Sequence, residues 1–165
     1  MKILATIIGA AFVCLLYSGA AHSQDTADLV LVKKSESRLY LMRKGEVLAS
    51  FHVAFGSNPR GHKQQQGDER TPEGRYILDY KKADSSYYKA IHISYPNARD
   101  RKEARKRGVD PGGAIMIHGQ RNGYEKFSAF TQLFNWTDGC IALSNHDMDV
   151  VWNAVKPGTP IEILP

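Results

Sequence analysis

Cys140 lies in the stretch NWTDGCIALSN, residues 135–145, and its thiol is the side chain in this sequence best suited to attack a carbonyl. Cysteine catalysis needs a thiolate, and a neighbouring imidazole both lowers the thiol pKa and later carries its proton. His118 is the candidate partner. It follows the apolar run Ala114-Ile115-Met116-Ile117, so it would end a buried strand with its ring presented at an edge. Gly139 permits a tight turn with little obstruction, and the backbone N–H groups of Gly139 and Cys140 are candidate oxyanion donors. Spacing alone supports the pair weakly. A small core cysteine and a core histidine satisfied by backbone remain an open alternative.

Other chemistries fit less well. His52, His62, His92 and His146 show no close metal-ligand spacing with His118, and no HExxH occurs, so neither a metal nor another cofactor is expected. There is no G-x-S-x-G elbow, and the order of His118 before Cys140 reverses that of papain-like proteases. His62 in a polar loop and His92 in an alternating strand read as solvated or structural.

The stretch MKILATIIGAAFVCLLYSGAAHSQ reads as a secretory signal peptide over residues 1–23, cleaved after Ser23. Its apolar run of roughly 15 residues is short for a bilayer span, so no membrane span is expected after cleavage, and an uncleaved anchor is the lesser reading. Export to the periplasm or cell envelope follows. Cys14 leaves with the leader, so Cys140 becomes solitary and no internal disulfide can form. A lone thiol in an oxidising compartment is either buried or used. About 142 residues then remain, enough for one domain, and loss of Lys2 takes the net charge from +5 to +4. Such a balance suits an anionic surface or a substrate bearing carboxylates. Nucleic acid is not expected as a partner, because no basic stretch is interleaved with stacking aromatics.

The elements that must hold these residues are mostly strands. Leu29 and Leu31, then Leu39 and Leu41, then Val47, Phe51, Val53 and Phe55 alternate, with a turn at Lys44-Gly45. Residues 57–70, SNPRGHKQQQGDER, read as a polar surface loop, and strands are expected from Arg75 to about Tyr80 and from about Ala90 to Ser94. Asn97 caps a short charged helix that Gly108 stops, with a Glu103–Arg107 pair along it. Asp110-Pro111-Gly112-Gly113 is a turn before the Ala114–Ile117 strand. Ser144 starts a second helix, with Asp147 completing a capping box and Met148, Val151, Trp152 and Val155 forming its buried stripe. A last strand covers Ile161–Leu164.

Three stretches, in order, resemble the L,D-transpeptidase catalytic domain, the YkuD domain. GDERTPEGRY (67–76) is similar to the family's G-D-x-x-T-P-x-G segment, IMIHGQ (115–120) to its strand ending in His-Gly, and TDGCIAL (137–143) to its nucleophile motif. VKPGTPIEIL resembles the usual ending, so the likeness covers residues 28–165 as one catalytic domain. It implies a mainly β fold with a few short helices, a β-sandwich or mixed sheet. It also implies action on peptidoglycan stem peptides through a Cys140 thioester, with His118 as general base and acid. A second stem's amine would resolve the thioester as a 3→3 cross-link, whereas water would make the protein a carboxypeptidase or amidase. Under the same resemblance Gly139 holds the turn, its carbonyl a candidate to orient the imidazole, and Thr137, Gly119 and Arg121 are candidate substrate contacts. Thr137 could instead merely brace the turn, and Arg121 could be a solvated loop residue. The family commonly has Arg or Asn two places after the nucleophile, where this chain has Ala142. A non-catalytic wall-binding module is the remaining rival.

Overall fold

Strand patterning builds one curled sheet, although the strands do not all turn the face their sequence suggests. The computed structural model describes residues 26–165, and the leader, with Cys14, lies outside the described residues. In chain order the elements are β1 (Leu29–Lys33), β2 (Arg38–Arg43), β3 (Glu46–His52), β4 (Gly74–Ser85), β5 (Tyr88–Ile93), α1 (Ala98–Arg107), β6 (Met116–His118), α2 (Ser128–Thr131), β7 (Ile141–Ala142), α3 (Asn145–Ala154) and β8 (Thr159–Leu164). The strands form a single mixed sheet in the order β3-β2-β1-β8-β4-β5-β6-β7, with β1–β8 and β6–β7 parallel. Past β3, Ala54 bridges to Ala142 and Gly56 to Thr137, so the two ends of the strand order meet and the sheet curls on itself. Among the described residues no helix is long and apolar enough to cross a membrane.

The concave interior is filled by Val30, Val32, Leu39, Leu41, Leu78, Ile91, Ile117, Ile141 and Ile163. In β1 the buried pair is Val30 and Val32, not Leu29 and Leu31 as the alternation suggests. LVLV is apolar on both faces, and the parallel register with β8, Val30 on Ile161 and Val32 on Ile163, selects the valines. Val47 is exposed because a register shift between Leu41 and Met42 takes its end of the β2–β3 hairpin out of phase. The run at 114–117 is likewise not buried throughout: Ile115 and Ile117 face the core, while Ala114 is exposed and Met116 half-buried.

Both longer helices begin where expected. Ser144 accepts from the Asp147 N–H and starts α3, whose Met148, Val151 and Val155 are buried with Trp152 packed at their margin. Asn97 and Asp100 form a reciprocal capping box on α1, and Gly108 ends it in the left-handed region. Glu103 pairs with Lys106 rather than Arg107, whose guanidinium reaches the Gln64 carbonyl instead.

Asp100 also docks α1 onto the sheet. Its carboxylate accepts from Tyr76 Oη at 3.0 Å and the Asn97 N–H at 2.9 Å, and meets His62 Nε2 at 3.3 Å. The Glu73 N–H donates to His62 Nδ1, so Nε2 carries the proton that Asp100 receives. Burial pushes the Asp100 carboxyl up, but the bonds from His62, Asn97 and Tyr76 outweigh it and hold it below the ordinary carboxylate range. Because the folded value lies below the unfolded one of about 3.9, the contribution is present above that pH and is lost as pH falls through the folded value. Asp100→Ala strands a buried hydroxyl and N–H and is expected to cost about 3 kcal/mol at neutral pH. Urea unfolding checks this, with the gap from wild type narrowing below about pH 4.

Candidate active site

β6 and β7 run side by side with Ile117 opposite Ile141 and His118 opposite Ala142. Both isoleucines are fully buried in the core, so the alternate positions 116, 118, 140 and 142 lie on the other face of the sheet. Cys140 immediately precedes β7 and sits beside Met116, whose N–H points at Sγ over 3.4 Å. His118 and Cys140 are therefore diagonal neighbours on one face, a separation of roughly 7–8 Å in a regular sheet that side chains can close. Both line a cavity of about 850 Å³, within the range of small-ligand sites.

The row through His118 is distinctive in composition. Lys82 pairs with Ala90, Ala90 with His118, His118 with Ala142, and Ala142 with Ala54. Along the row the two neighbours of His118 are thus alanines, which set no polar side chain beside it. Ala142 itself is fully buried and does not line the cavity.

The nucleophile turn is built from three residues. Thr137 Oγ1 donates to the Cys140 carbonyl at 2.7 Å and accepts from the Gly139 N–H at 3.2 Å. Its hydroxyl thus braces the turn, although Thr137 also lines the cavity, and the Gly139 N–H, expected as an oxyanion donor, is directed to Thr137. Gly139 has φ +128°, and a Cβ there would stand 2.5 Å from the Arg70 carbonyl oxygen, so only glycine fits. That carbonyl belongs to the GDERTP segment. Asp68 fixes the segment by accepting from the Gln64, Gln65 and Arg70 N–H groups and from Lys63 Nζ, itself 3% exposed. Thr71 Oγ1 then accepts from the Gly56 N–H, beside the bridge that closes the sheet. The loop is on the surface as expected, but its lysine is a core residue.

His118 is held by its own neighbour. Nδ1 lies 2.7 Å from the Gly119 carbonyl, not the Gly139 carbonyl that the sequence suggested. A carbonyl only accepts, so Nδ1 carries the proton and Nε2 of the neutral ring is left as the basic atom. Gly119 is tied down in turn by its N–H to the Tyr87 and Lys89 carbonyls, and a Cβ on it would meet Asn145 Oδ1 at 2.6 Å. It therefore serves His118 and does not line the cavity. Tyr87 lies 4.7 Å and Trp136 5.8 Å from the imidazole, centroid to centroid. Burial pushes the His118 pKa down despite the Gly119 bond. Burial also pushes the Cys140 thiol up, against the opposing Met116 N–H. The resting pair is a neutral imidazole and a protonated thiol, a base and its proton source rather than a preformed ion pair.

Arg121 lines the cavity with its guanidinium 5.5 Å from the Tyr124 ring. The sequence reading missed Lys82, Tyr80 and Tyr87 of the β4–β5 hairpin, together with Gln120 and Trp136. Gln120 is buried, donates to the Leu143 carbonyl and accepts from Thr131, tying the β6 exit to the stretch over the cavity. Its place directly after His-Gly was the available signal.

Residues 27–163 match the YkuD family, the L,D-transpeptidase catalytic domain. The chain belongs to that family. It is 32% identical over 129 residues to the protein named putative L,D-transpeptidase YafK of Escherichia coli (strain K12), covering 73% of this chain and 45% of that one. A mutant form of the helical cell shape determining protein Pgp2 from Campylobacter jejuni has a similar fold, with TM-score 0.62 and 27% identity over 84% of this chain and 47% of that one. L,D-transpeptidase 1 of Mycobacterium tuberculosis, at 18% identity and TM-score 0.51 over 83% of this chain and 60% of that one, shares the fold. The chain spans about half the length of the curated relatives it matches.

Two outcomes follow from the geometry. Alkylation of Cys140 by iodoacetamide should keep accelerating as pH passes the ordinary thiol value of 9.0, with no plateau near neutrality. Gly139→Ala, forced into positive φ against the Arg70 carbonyl, should lower stability by about 1–3 kcal/mol in urea unfolding.

Proposed function

We propose that this protein is an exported peptidoglycan L,D-transpeptidase that works through a thioester on Cys140. One observation carries the reading: a basic Nε2 on His118 and the Cys140 thiol share one sheet face and one cavity. Sγ attacks the carbonyl of the bond between an L-centre and a terminal D-Ala, and its proton passes to Nε2. The collapsing intermediate takes that proton onto the leaving D-Ala amine, and the acyl group stays on sulfur as a thioester. The Cys140 N–H is the candidate donor to the oxyanion, since Thr137 engages that of Gly139. A second stem's side-chain amine then displaces Sγ to give a 3→3 cross-link, with His118 receiving the amine proton and returning it to sulfur.

Stem peptides carry carboxylates, and the cavity walls hold two cations, Arg121 and a Lys82 that pairs with Asp84 at 3.1 Å, beside the carboxylate of Asp138. Since Ala142 is buried away from the cavity, those cations take the anchoring role that a larger polar residue at 142 fills elsewhere in the family. Water would give the same thioester a hydrolytic outcome, and product analysis separates the two. Purified enzyme with disaccharide-tetrapeptide should yield 3→3 dimers by mass spectrometry; tripeptide monomer alone would assign a carboxypeptidase instead. Cys140→Ala should abolish product while keeping wild-type unfolding behaviour, and His118→Ala should lower the rate by about 10²–10⁴-fold. Dimer formation by the Cys140→Ala protein would sink the thioester.

A further inference from the structure

Five large apolar side chains stand exposed within eleven residues beside the cavity: Tyr124 at 51%, Phe127 at 48%, Phe130 at 64%, Leu133 at 70% and Phe134 at 55%. Elsewhere among the described residues, the exposed apolar side chains are dispersed over β3, β4, α3 and β8. A cluster of this kind on an otherwise polar surface marks an interaction site.

The stretch is not loosely attached. His52 Nε2 meets the Gln132 carbonyl at 2.8 Å, the Phe55 N–H donates to Asn135 Oδ1 at 2.9 Å, and Thr131 Oγ1 donates to Gln120 at 2.6 Å. These anchoring groups hold the stretch down while the five apolar side chains stay exposed. The rings pair as Tyr124 with Phe127 at 6.4 Å and Phe130 with Phe134 at 5.3 Å. Tyr124, Thr131 and Trp136 of the same stretch line the cavity, so the aromatic surface is continuous with the site.

Charge decides between occupants. Residues 122–136 carry one acid, Glu125, and one base, Lys126, so the stretch is electrically neutral. An anionic lipid surface would be met by a cluster of bases, which is absent from this stretch. A neutral polymer with flat C–H faces fits better, because electron-rich ring faces attract the weakly positive hydrogens of a pyranose.

We propose that the aromatic surface of residues 124–134 docks the glycan strand from which the stem peptide branches, next to the cavity that takes the stem. This rests on the proposed action at peptidoglycan, and binding is read separately from turnover. In affinity electrophoresis through gels containing stem-free peptidoglycan glycan strands, the Cys140→Ala protein should be retarded. Adding Phe130→Ser and Leu133→Ser should abolish the retardation without changing the unfolding midpoint.

In the active background, the same two substitutions should raise KM for disaccharide-tetrapeptide oligomers at least fivefold, leaving kcat/KM on free tetrapeptide within twofold. Absence of retardation of the Cys140→Ala protein overturns the proposal, as does an equal loss on free peptide and glycan-borne substrate. Binding to vesicles of anionic phospholipid in place of glycan would also overturn it, assigning the surface to a membrane. If glycan is bound but no stem peptide is turned over, the docking surface stands and the transpeptidase reading fails.

Discussion

Two backbone carbonyls pressed against two glycines set the geometry of this site. The Glu69 oxygen would lie 2.0 Å from a Cβ on Gly56, and the Arg70 oxygen 2.5 Å from one on Gly139. Neither position tolerates a side chain, and together they let the 67–72 segment lie directly under the nucleophile turn. Three backbone N–H groups and Lys63 on Asp68 make the segment stiff enough to serve as a floor. The motif GDERTP is thus a support whose chemistry consists in holding Cys140 still. Its Asp and Thr are engaged with the segment and with Gly56, and the Arg70 carbonyl between them is what meets the turn.

The candidate pair could be picked out in the sequence because the strand that presents His118 and the turn that presents Cys140 are local features, and the structure brings the two to one cavity. Which residues surround the pair was not legible, since that depends on register across strands far apart in sequence. β4 shows why. Leu78 pairs with Ile93, yet Lys81, not Asp79 or Tyr80, comes opposite Ile91. Two residues therefore oppose His92, and the side-chain alternation flips. Lys82 shares the sequence parity of Tyr76 and Leu78, which face the core, and still arrives on the cavity face.

His92 fastens that flip. Its Nδ1 lies 2.7 Å from Asp79, and its ring stacks on Tyr80 at 4.6 Å and 14°, so it engages both residues of the bulge. Sequence alone placed His92 in an alternating strand and expected a solvated or structural role; its environment is structural, but the structure it supports is the cavity wall. The misplaced faces of β1 have the same origin. An LVLV strand gives no contrast between faces, and the parallel neighbour β8, 130 residues later in the chain, chooses between them. Fold class came from composition and period, which are local, whereas facing came from pairing, which is not.

The neutral resting state of the pair fits a site that must ignore most of what it meets. A thiolate held permanently beside an imidazolium would react with any small electrophile or oxidant entering an 850 Å³ cavity. Burial disfavours both charges here, raising the thiol and lowering the imidazole. In the proposed mechanism, proton transfer would then become favourable only with a carbonyl in place to take the negative charge and the Cys140 amide to receive it. The alanines at 90 and 142 contribute by what they lack, since neither row neighbour of His118 supplies a charge or hydrogen bond of its own. On the proposed reading, selectivity would therefore lie outward, with Lys82 and Arg121 on the walls and the aromatic surface at the mouth, while His118 and Cys140 supply only a base and a sulfur.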